Sequence, residues 1–219
     1  DEDFKREDYL ENILTITSDE EGKVYSLIPS FYVQCLIGDK EYFNGKIKFT
    51  MDDLLNLCKK YPDASPFMYY LTRSDMLTGY YGEPIINAFT IANDGYGDFA
   101  SDDFAKYLEF VKEFPEEFDW DEYYNNNPYG GDESNLFIDK QVLLETAQLN
   151  GFNIEYMKRT HGENYAFAGY PVPGEDDGIY IRPACEIAVS AKSVMQQEAW
   201  DFMKYLLSDE YQESYYGFP

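Results

Sequence analysis

Apolar positions recur along this chain at two spacings, and together they mark out short strands alternating with helices. Phe4, Tyr9, Leu10, Ile13 and Leu14 follow a near-helical period among charges, which predicts a short amphipathic helix within residues 1–14. Asp19-Glu20-Glu21-Gly22 makes a turn and Lys23–Ile28 reads as a strand. Pro29 is expected to break that strand before a second one from Ser30 to Ile37. Thr50 opens the best-marked helix: Asp53 completes a capping box, Leu54, Leu55, Leu57 and Cys58 supply the apolar stripe, and Pro62 ends it. Phe67–Leu77 is mixed and leads into a helix near Ser74, with Gly79-Tyr80-Tyr81-Gly82 just beyond. Ser101, backed by Asp102 and Asp103, caps a helix carrying Phe104, Leu108 and Val111 at i, i+4 and i+7, and Pro115 closes it.

Tyr123–Ser134 is rich in Asn, Gly and Asp. Its oxygens could coordinate calcium, but the spaced D-x-D-x-D-G loop is absent, so a surface loop is the plainer reading. Gln141–Ala147 and Tyr165–Tyr170 read as strands, Gly174–Gly178 as an acidic turn, and Ile187–Ser190 as a buried strand. Ser193 with Gln196 suggests a second capping box, opening a helix whose Ala199, Phe202, Met203, Leu206 and Leu207 are expected to face a core. Ser208 caps a last helix, Asp209–Tyr216. This alternation predicts an α/β fold with a mixed or largely parallel sheet and no internal repeat.

Charge narrows the choice of partners. Lys and Arg number 17 against 42 Asp and Glu, a net charge of -25 that repels phosphate backbones and anionic lipid. Nucleic acid is therefore not an expected partner, and a neutral or cationic small molecule suits the field better. The chain contains 22 Tyr and 16 Phe within an 18% aromatic share. Tyrosine offers a flat apolar face with a hydroxyl rim, matching the alternating C–H faces and hydroxyls of a carbohydrate. Cys35, Cys58 and Cys185 are odd in number and widely spaced, and read as buried thiols rather than a disulfide frame or metal site. The single histidine, His161, sits in Thr160-His161-Gly162 and is expected on an exposed turn, leaving no raw material for a histidine-based triad or metal centre. No catalytic residues, metal or cofactor are expected.

Several strings, in order across nearly the whole chain, resemble the extracellular solute-binding proteins that serve ABC-type sugar importers: Gly22–Pro29 (GKVYSLIP), Phe49–Leu55 (FTMDDLL), Gly169-Tyr170-Pro171, Ile187–Ser193 (IAVSAKS) and Glu198–Ser208 (EAWDFMKYLLS). The resemblance is to the maltose-binding-protein-like family, with a type II periplasmic-binding-protein fold: two α/β lobes joined by crossing strands, and a ligand cleft between them. It implies a chain shortened at both ends. Residues 1–28 would be a remnant of the amino-terminal lobe with the first crossing strand. Residues 29–168 would form the carboxy-terminal lobe, and 169–219 the return crossing with amino-terminal-lobe strand and helices. It further implies a monomer that binds a solute, of which a sugar is the leading candidate, and docks on an importer permease. The setting would be extracellular, lipid-anchored at the cell surface or periplasmic.

Ligand groups in open α/β sheets come from loops at strand ends. Ser30, Phe31 and Tyr32 follow the first crossing, where the resemblance places the cleft, although Phe31 or Tyr32 could equally be core. Tyr80 and Tyr81, between Gly79 and Gly82, could form a stacking platform or pack across their own turn. Thr72, Arg73 and Asp75, and Gln148, Asn150 and Asn153, offer polar groups at element ends that match hydroxyl rims. Trp120 either stacks on a sugar or anchors the loop beside it, and Trp200 is expected to pack. Two other readings stay open. A glycoside hydrolase needs only two carboxylates roughly 5 to 10 Å apart, and an acidic aromatic surface could bind a protein.

Overall fold

The computed structural model describes residues 4–92, 96–126, 135–150 and 154–216. After a 3-10 turn at Arg6–Asp8, the elements run α1 (Glu11–Ile16), β1 (Leu27–Asp39), α2 (Lys40–Phe43), α3 (Met51–Lys60), α4 (Arg73–Leu77), α5 (Glu83–Ile91), α6 (Asp102–Val111), α7 (Trp120–Asn126), β2 (Leu144–Leu149), α8 (Ile154–His161), β3 (Tyr165–Ala168), β4 (Tyr180–Ile187), α9 (Gln196–Leu206) and α10 (Asp209–Tyr216). β1 lies between β2 and β3 and also pairs with β4. The β1–β3 ladder is antiparallel, with Leu36 opposite Ala168 and Asp39 opposite Tyr165.

The chain divides into two compact units: unit 1 is Asp1–Val33, Leu149–Phe152 and Ile181–Pro219, and unit 2 is Gln34–Gln148 and Asn153–Tyr180. Unit 2 carries a large aromatic core. Phe43 and Phe49 meet edge to face at 5.3 Å, Phe89 meets Phe104 at 5.1 Å, and Phe67 meets Phe110 at 6.3 Å. Leu36, Leu54, Met76, Ile85 and Leu144 are fully enclosed around them. Such edge-to-face pairs add about 0.5–1.5 kcal/mol each beyond simple burial. In unit 1, Leu14, Leu27 and Met203 form the enclosed cluster among the described residues, with Phe4, Val24, Ile187, Trp200 and Leu207 packed part-buried against it.

α3 forms as its sequence dictates. The Thr50 hydroxyl accepts from the Asp53 amide at 3.1 Å and the Asp53 carboxylate accepts from the Thr50 amide at 3.1 Å, while Met51, Leu54 and Leu57 turn inward. Partial burial pushes the Asp53 pKa up, but hydrogen bonds from Thr50 and the Lys46 ammonium outweigh it, so the carboxyl titrates below its ordinary value. A depressed folded pKa stabilises above the unfolded value, about 4, and that support is lost as pH falls through the folded one. Thr50→Ala is expected to lower the stability of unit 2 by about 1 kcal/mol at neutral pH, read as a lower urea midpoint. The deficit should shrink on acidification below about pH 4, because Asp53 then loses its charge in wild type and variant alike.

Several expectations need correction. Pro29 lies inside a single 13-residue strand, β1, instead of ending one. Its fixed φ suits extended backbone and costs only one ladder donor, and its carbonyl accepts from Gln212 Nε2 at 3.3 Å. Residues 23–26 are irregular apart from an isolated bridge between Ser18 and Val24. The strand expected at Gln141–Ala147 is Leu144–Leu149, preceded by a bridge from Val142 to Ser65. The buried strand expected at Ile187–Ser190 is instead Tyr180–Ile187, and its residues Pro183–Glu186 are exposed. Ser193 does not cap α9: its hydroxyl accepts from the Met195 amide, Gln196 reaches back to the Ala191 carbonyl, and Met195 occupies the cap position with no side-chain bond. Ser208 does cap α10, its hydroxyl accepting from the Tyr211 amide at 3.3 Å.

Candidate functional site

The Tyr80–Tyr81 turn of unit 2 is built by its neighbours. α4 is fastened at its start by a second capping box, in which Asp75 accepts from the Thr72 amide at 2.8 Å and the Thr72 hydroxyl accepts from the Asp75 amide at 3.3 Å. The Arg73 guanidinium donates to the carbonyls of Phe114 (2.9 Å) and Lys112 (3.1 Å) and to the Glu116 carboxylate (2.8 Å), clamping α4 to the end of α6. These bonds of Thr72, Arg73 and Asp75 hold the turn in place. After α4 the backbone folds back so tightly that a Cβ at Gly82 would lie 1.6 Å from the Met76 carbonyl oxygen. Tyr81 packs inward, edge to face with Phe67 at 6.1 Å, and burial pushes its hydroxyl pKa up. Tyr80 meets Tyr81 at 88° and 5.8 Å while staying 43% exposed. The result is one aromatic ring offered to solvent on a rigid base.

Buried near this turn is a group of neutral polar side chains. Tyr170 and Gln34 are each 1% exposed and Thr146 is 7% exposed. Burial drives the Tyr170 hydroxyl far above its ordinary pKa, with Thr146, Tyr80, Gln34 and Cys35 all within electrostatic reach. Thr146 and Gln34 lie close enough to favour its ionised form slightly, yet no well-aligned hydrogen bond satisfies either Tyr170 Oη or Thr146 Oγ1 among the described residues. Buried hydroxyls without partners cost about 1–3 kcal/mol, and such groups are normally met by an ordered water or a ligand. Gln148 stands two residues beyond Thr146 on β2, on the same face by the strand's two-residue period. Tyr170 also packs against Tyr180 at 6.2 Å, whose hydroxyl donates to the Pro84 carbonyl.

On the other face of β2, Glu145 meets His161 at 2.9 Å. His161 is the last residue of α8, buried with its ring 4.3 Å from that of Phe137 at a tilt of 41°, not on an exposed turn as expected. The imidazole fills a core position whose ring nitrogen is bonded to a carboxylate, a pattern the local sequence does not announce. Cys35 is buried and Cys58 half-buried, and burial lifts their thiols to about 12 and about 11, whereas Cys185 is exposed, contrary to expectation. Among the described residues no group of three or more His, Cys, Asp and Glu side chains could hold a metal ion.

The remaining expected residues fall as follows. Ser30, Phe31 and Tyr32 lie in β1 within unit 1, all half-buried, and Phe31 borders a small cavity of about 160 Å³ with Ile13, Leu14 and Ile28. Gln148 closes unit 2 on β2, Asn150 is exposed within unit 1, and Asn153 lies outside the described residues. The expected loop at Tyr123–Ser134 is helical as far as Asn126 and lies outside the described residues from 127 onward. Trp120 opens α7 and packs on Phe118 at 4.8 Å and Tyr70 at 5.6 Å, consistent with an anchoring role. Sequence reasoning passed over Gln34, Thr146 and Tyr170. The available signal was a polar residue inside one apolar run, Val33-Gln34-Cys35; Thr146, next to the charged Glu145, carried none.

Comparison with known structures shows the same fold in solute receptors. An ABC-transporter solute-binding protein from Thermotoga lettingae TMO, bound with alpha-D-tagatose, matches at TM-score 0.55 and 14% identity over 97% of this chain and 58% of that one. The binding protein msme of Bacillus subtilis, in an open conformation, matches at TM-score 0.60 and 14% identity over 96% and 58%. A solute-binding protein from Agrobacterium vitis S4 with bound D-mannitol matches at TM-score 0.55 and 14% identity over 96% and 53%. The chain thus spans little more than half the length of these relatives. Among curated protein sequences nothing matches. These neighbours share the type II periplasmic-binding-protein architecture, and residues 2–218 match the family of bacterial extracellular solute-binding proteins. With the sequence match and the fold in agreement, the chain belongs to the bacterial extracellular solute-binding proteins.

Proposed function

We propose that this protein captures a neutral sugar or polyol outside the cell and delivers it unchanged to an ABC-type importer, as a monomer and without catalysing a reaction. The observation that carries the reading is the partly exposed Tyr80 ring, seated on Tyr81 and lying within electrostatic reach of the buried Tyr170 hydroxyl. A ring face with neutral hydroxyls nearby answers the two surfaces of a saccharide: C–H faces on the ring, hydroxyls on the polar groups. The relatives support the solute class, since their bound ligands are tagatose, mannitol and ribitol. We assign ligand contact in unit 2 to Tyr80 and Gln148, with Tyr81 and Tyr170 bracing Tyr80. Ser30, Phe31, Tyr32, Asn150 and Asn153 are retained as proposed contacts from the segments around the crossings. Thr72, Arg73 and Asp75 are proposed to act by positioning. The lobe boundaries at residues 28–29 and 168–169 and attachment to the cell surface belong to the same proposal.

A panel of tagatose, mannitol, ribitol and maltopentaose tests it by thermal shift, because a ligand at a hundred times its Kd adds about 2.7 kcal/mol to stability. Stabilisation by at least one member is expected, and Tyr80→Ala should weaken that binding about tenfold, or 1.4 kcal/mol, while leaving the ligand-free melting temperature within a few degrees of wild type. Equal affinity in Tyr80→Ala would remove Tyr80 from the site.

A further inference from the structure

The single histidine of this chain sits where a charge is hard to accommodate. His161 Nε2 lies 2.9 Å from Glu145 Oε2, and the imidazole side chain is 2% exposed against 25% for the carboxylate. The pair stands outside the ligand contacts assigned above, yet its carboxylate is tied to them in two ways. Glu145 lies on β2, whose opposite face carries Thr146 and Gln148. The Tyr81 hydroxyl, beneath the exposed Tyr80 ring, is hydrogen-bonded to Tyr70 and lies within electrostatic reach of Glu145. All these residues belong to unit 2.

Among the described residues, the other charged and titratable groups around the imidazole are occupied or solvated. A cavity of about 220 Å³ beside it is bordered by Asp39 from the end of β1 and Glu163 from the turn after α8, with apolar Phe137, Ile138 and Leu143 between them. Asp39 accepts from Asn164 at 2.9 Å and lies 3.6 Å from the Lys140 ammonium. Glu163 is exposed, as are Lys158 and Arg159 on α8 itself, so water screens all three. Tyr165 on β3 presents its ring 6.4 Å from that of His161. Glu145 is the acidic group bonded to the imidazole, and a carboxylate only accepts, so Nε2 carries the proton. With His161 neutral this is an ordinary hydrogen bond. With His161 protonated it becomes a charge-assisted one, about twice as strong.

We propose that His161 is a positioning residue for the solute site: it holds Glu145 from behind β2, and the hold tightens when the imidazole takes up a proton, so that solute binds more tightly at mildly acidic pH. The proposal rests on the assignment of Tyr80 and Gln148 as solute contacts. A strand fixed in advance presents Thr146 and Gln148 without the ordering cost that a loosely held one meets on binding. Histidine ordinarily changes charge between pH 5 and 8, so the support is present at the acidic end of that range and is lost as pH rises through it. By linkage, whatever protonation adds to the affinity for solute, solute adds to the affinity for the proton.

Titration calorimetry of the whole reading-frame product with tagatose, mannitol, ribitol and maltopentaose, at about pH 5.5 and about pH 8, tests the proposal on each member that binds. Wild-type affinity is expected to be about fivefold higher at the acidic pH, the low end of ordinary coupling between sites. His161→Gln keeps an amide donor for Glu145 and does not titrate, so its affinity should be level between the two conditions. Glu145→Gln keeps the shape of the side chain and removes its charge; it should lose the acid gain likewise, and it serves where His161→Gln fails to fold. A merely structural histidine would lower the melting temperature of both variants and leave the pH dependence of affinity unchanged. The proposal is overturned by equal wild-type affinity at both pH values, or by an acid gain that persists in the variants. Binding of no member at either pH would overturn the solute reading itself, and this proposal with it.

Discussion

Phe67→Ala is expected to destabilise unit 2 by about 3–5 kcal/mol, the range for deleting a large buried ring. Phe67 is 1% exposed and touches two systems at once: Phe110 on α6 at 6.3 Å, and Tyr81 at 6.1 Å beneath the exposed Tyr80 ring. Its loss leaves a cavity at the junction of the core with the candidate site. Solute affinity should therefore fall roughly tenfold even at temperatures where the variant is folded, because Tyr80 loses its fixed support. Tyr96→Ala, at an 89% exposed ring, is the matched control and should lie within about 0.5 kcal/mol of wild type. A Phe67→Ala variant as stable as the control would mean that the aromatic core is not the principal support of unit 2.

Gly82→Ala is the second large effect, expected at about 2–3 kcal/mol as read from the urea midpoint. The backbone conformation is no obstacle, since Gly82 has φ -88 and ψ -24, values an alanine adopts freely. The penalty is steric: the added methyl would sit 1.6 Å from the Met76 carbonyl oxygen, and that backbone is fixed by the capping box at Thr72 and Asp75. The chain must open the turn, which swings Tyr80 and Tyr81 from their places. Stability and solute affinity should thus fall together, whereas Tyr80→Ala should separate them. Wild-type stability in Gly82→Ala would show that the close approach at Met76 is relaxed in solution.

The parts of the fold that could be read in the sequence are those decided locally. The Thr50–Asp53 box and the Ser101 cap each specify a helix within a few residues; α3 buries Leu54 and Leu57 of its expected stripe, whereas α6 turns Tyr107, Phe110 and Val111 inward and leaves the expected Leu108 exposed. Pro29 misled because a proline's effect depends on whether its missing donor has a partner across the sheet, which is a tertiary question. The Glu145–His161 pair spans 16 residues and links a strand to a helix end, so the tripeptide around His161 carried no hint of burial. At the candidate site, Tyr80 and Tyr81 were visible through their flanking glycines. Thr72, Arg73 and Asp75 were legible as polar residues but not as the fastening of α4, because Arg73 finds its partners 39 to 43 residues away. Tyr170, Thr146 and Gln34 meet only once β1, β2 and the segment after β3 are assembled.

Titration calorimetry of the whole reading-frame product with the same sugars and polyols, followed by recovery and mass analysis of the solute, tests the central claim most directly. Saturable one-to-one binding of a neutral solute that is recovered intact is the predicted result. Recovery of a cleaved or chemically altered solute, or saturable binding confined to charged ligands, would contradict it.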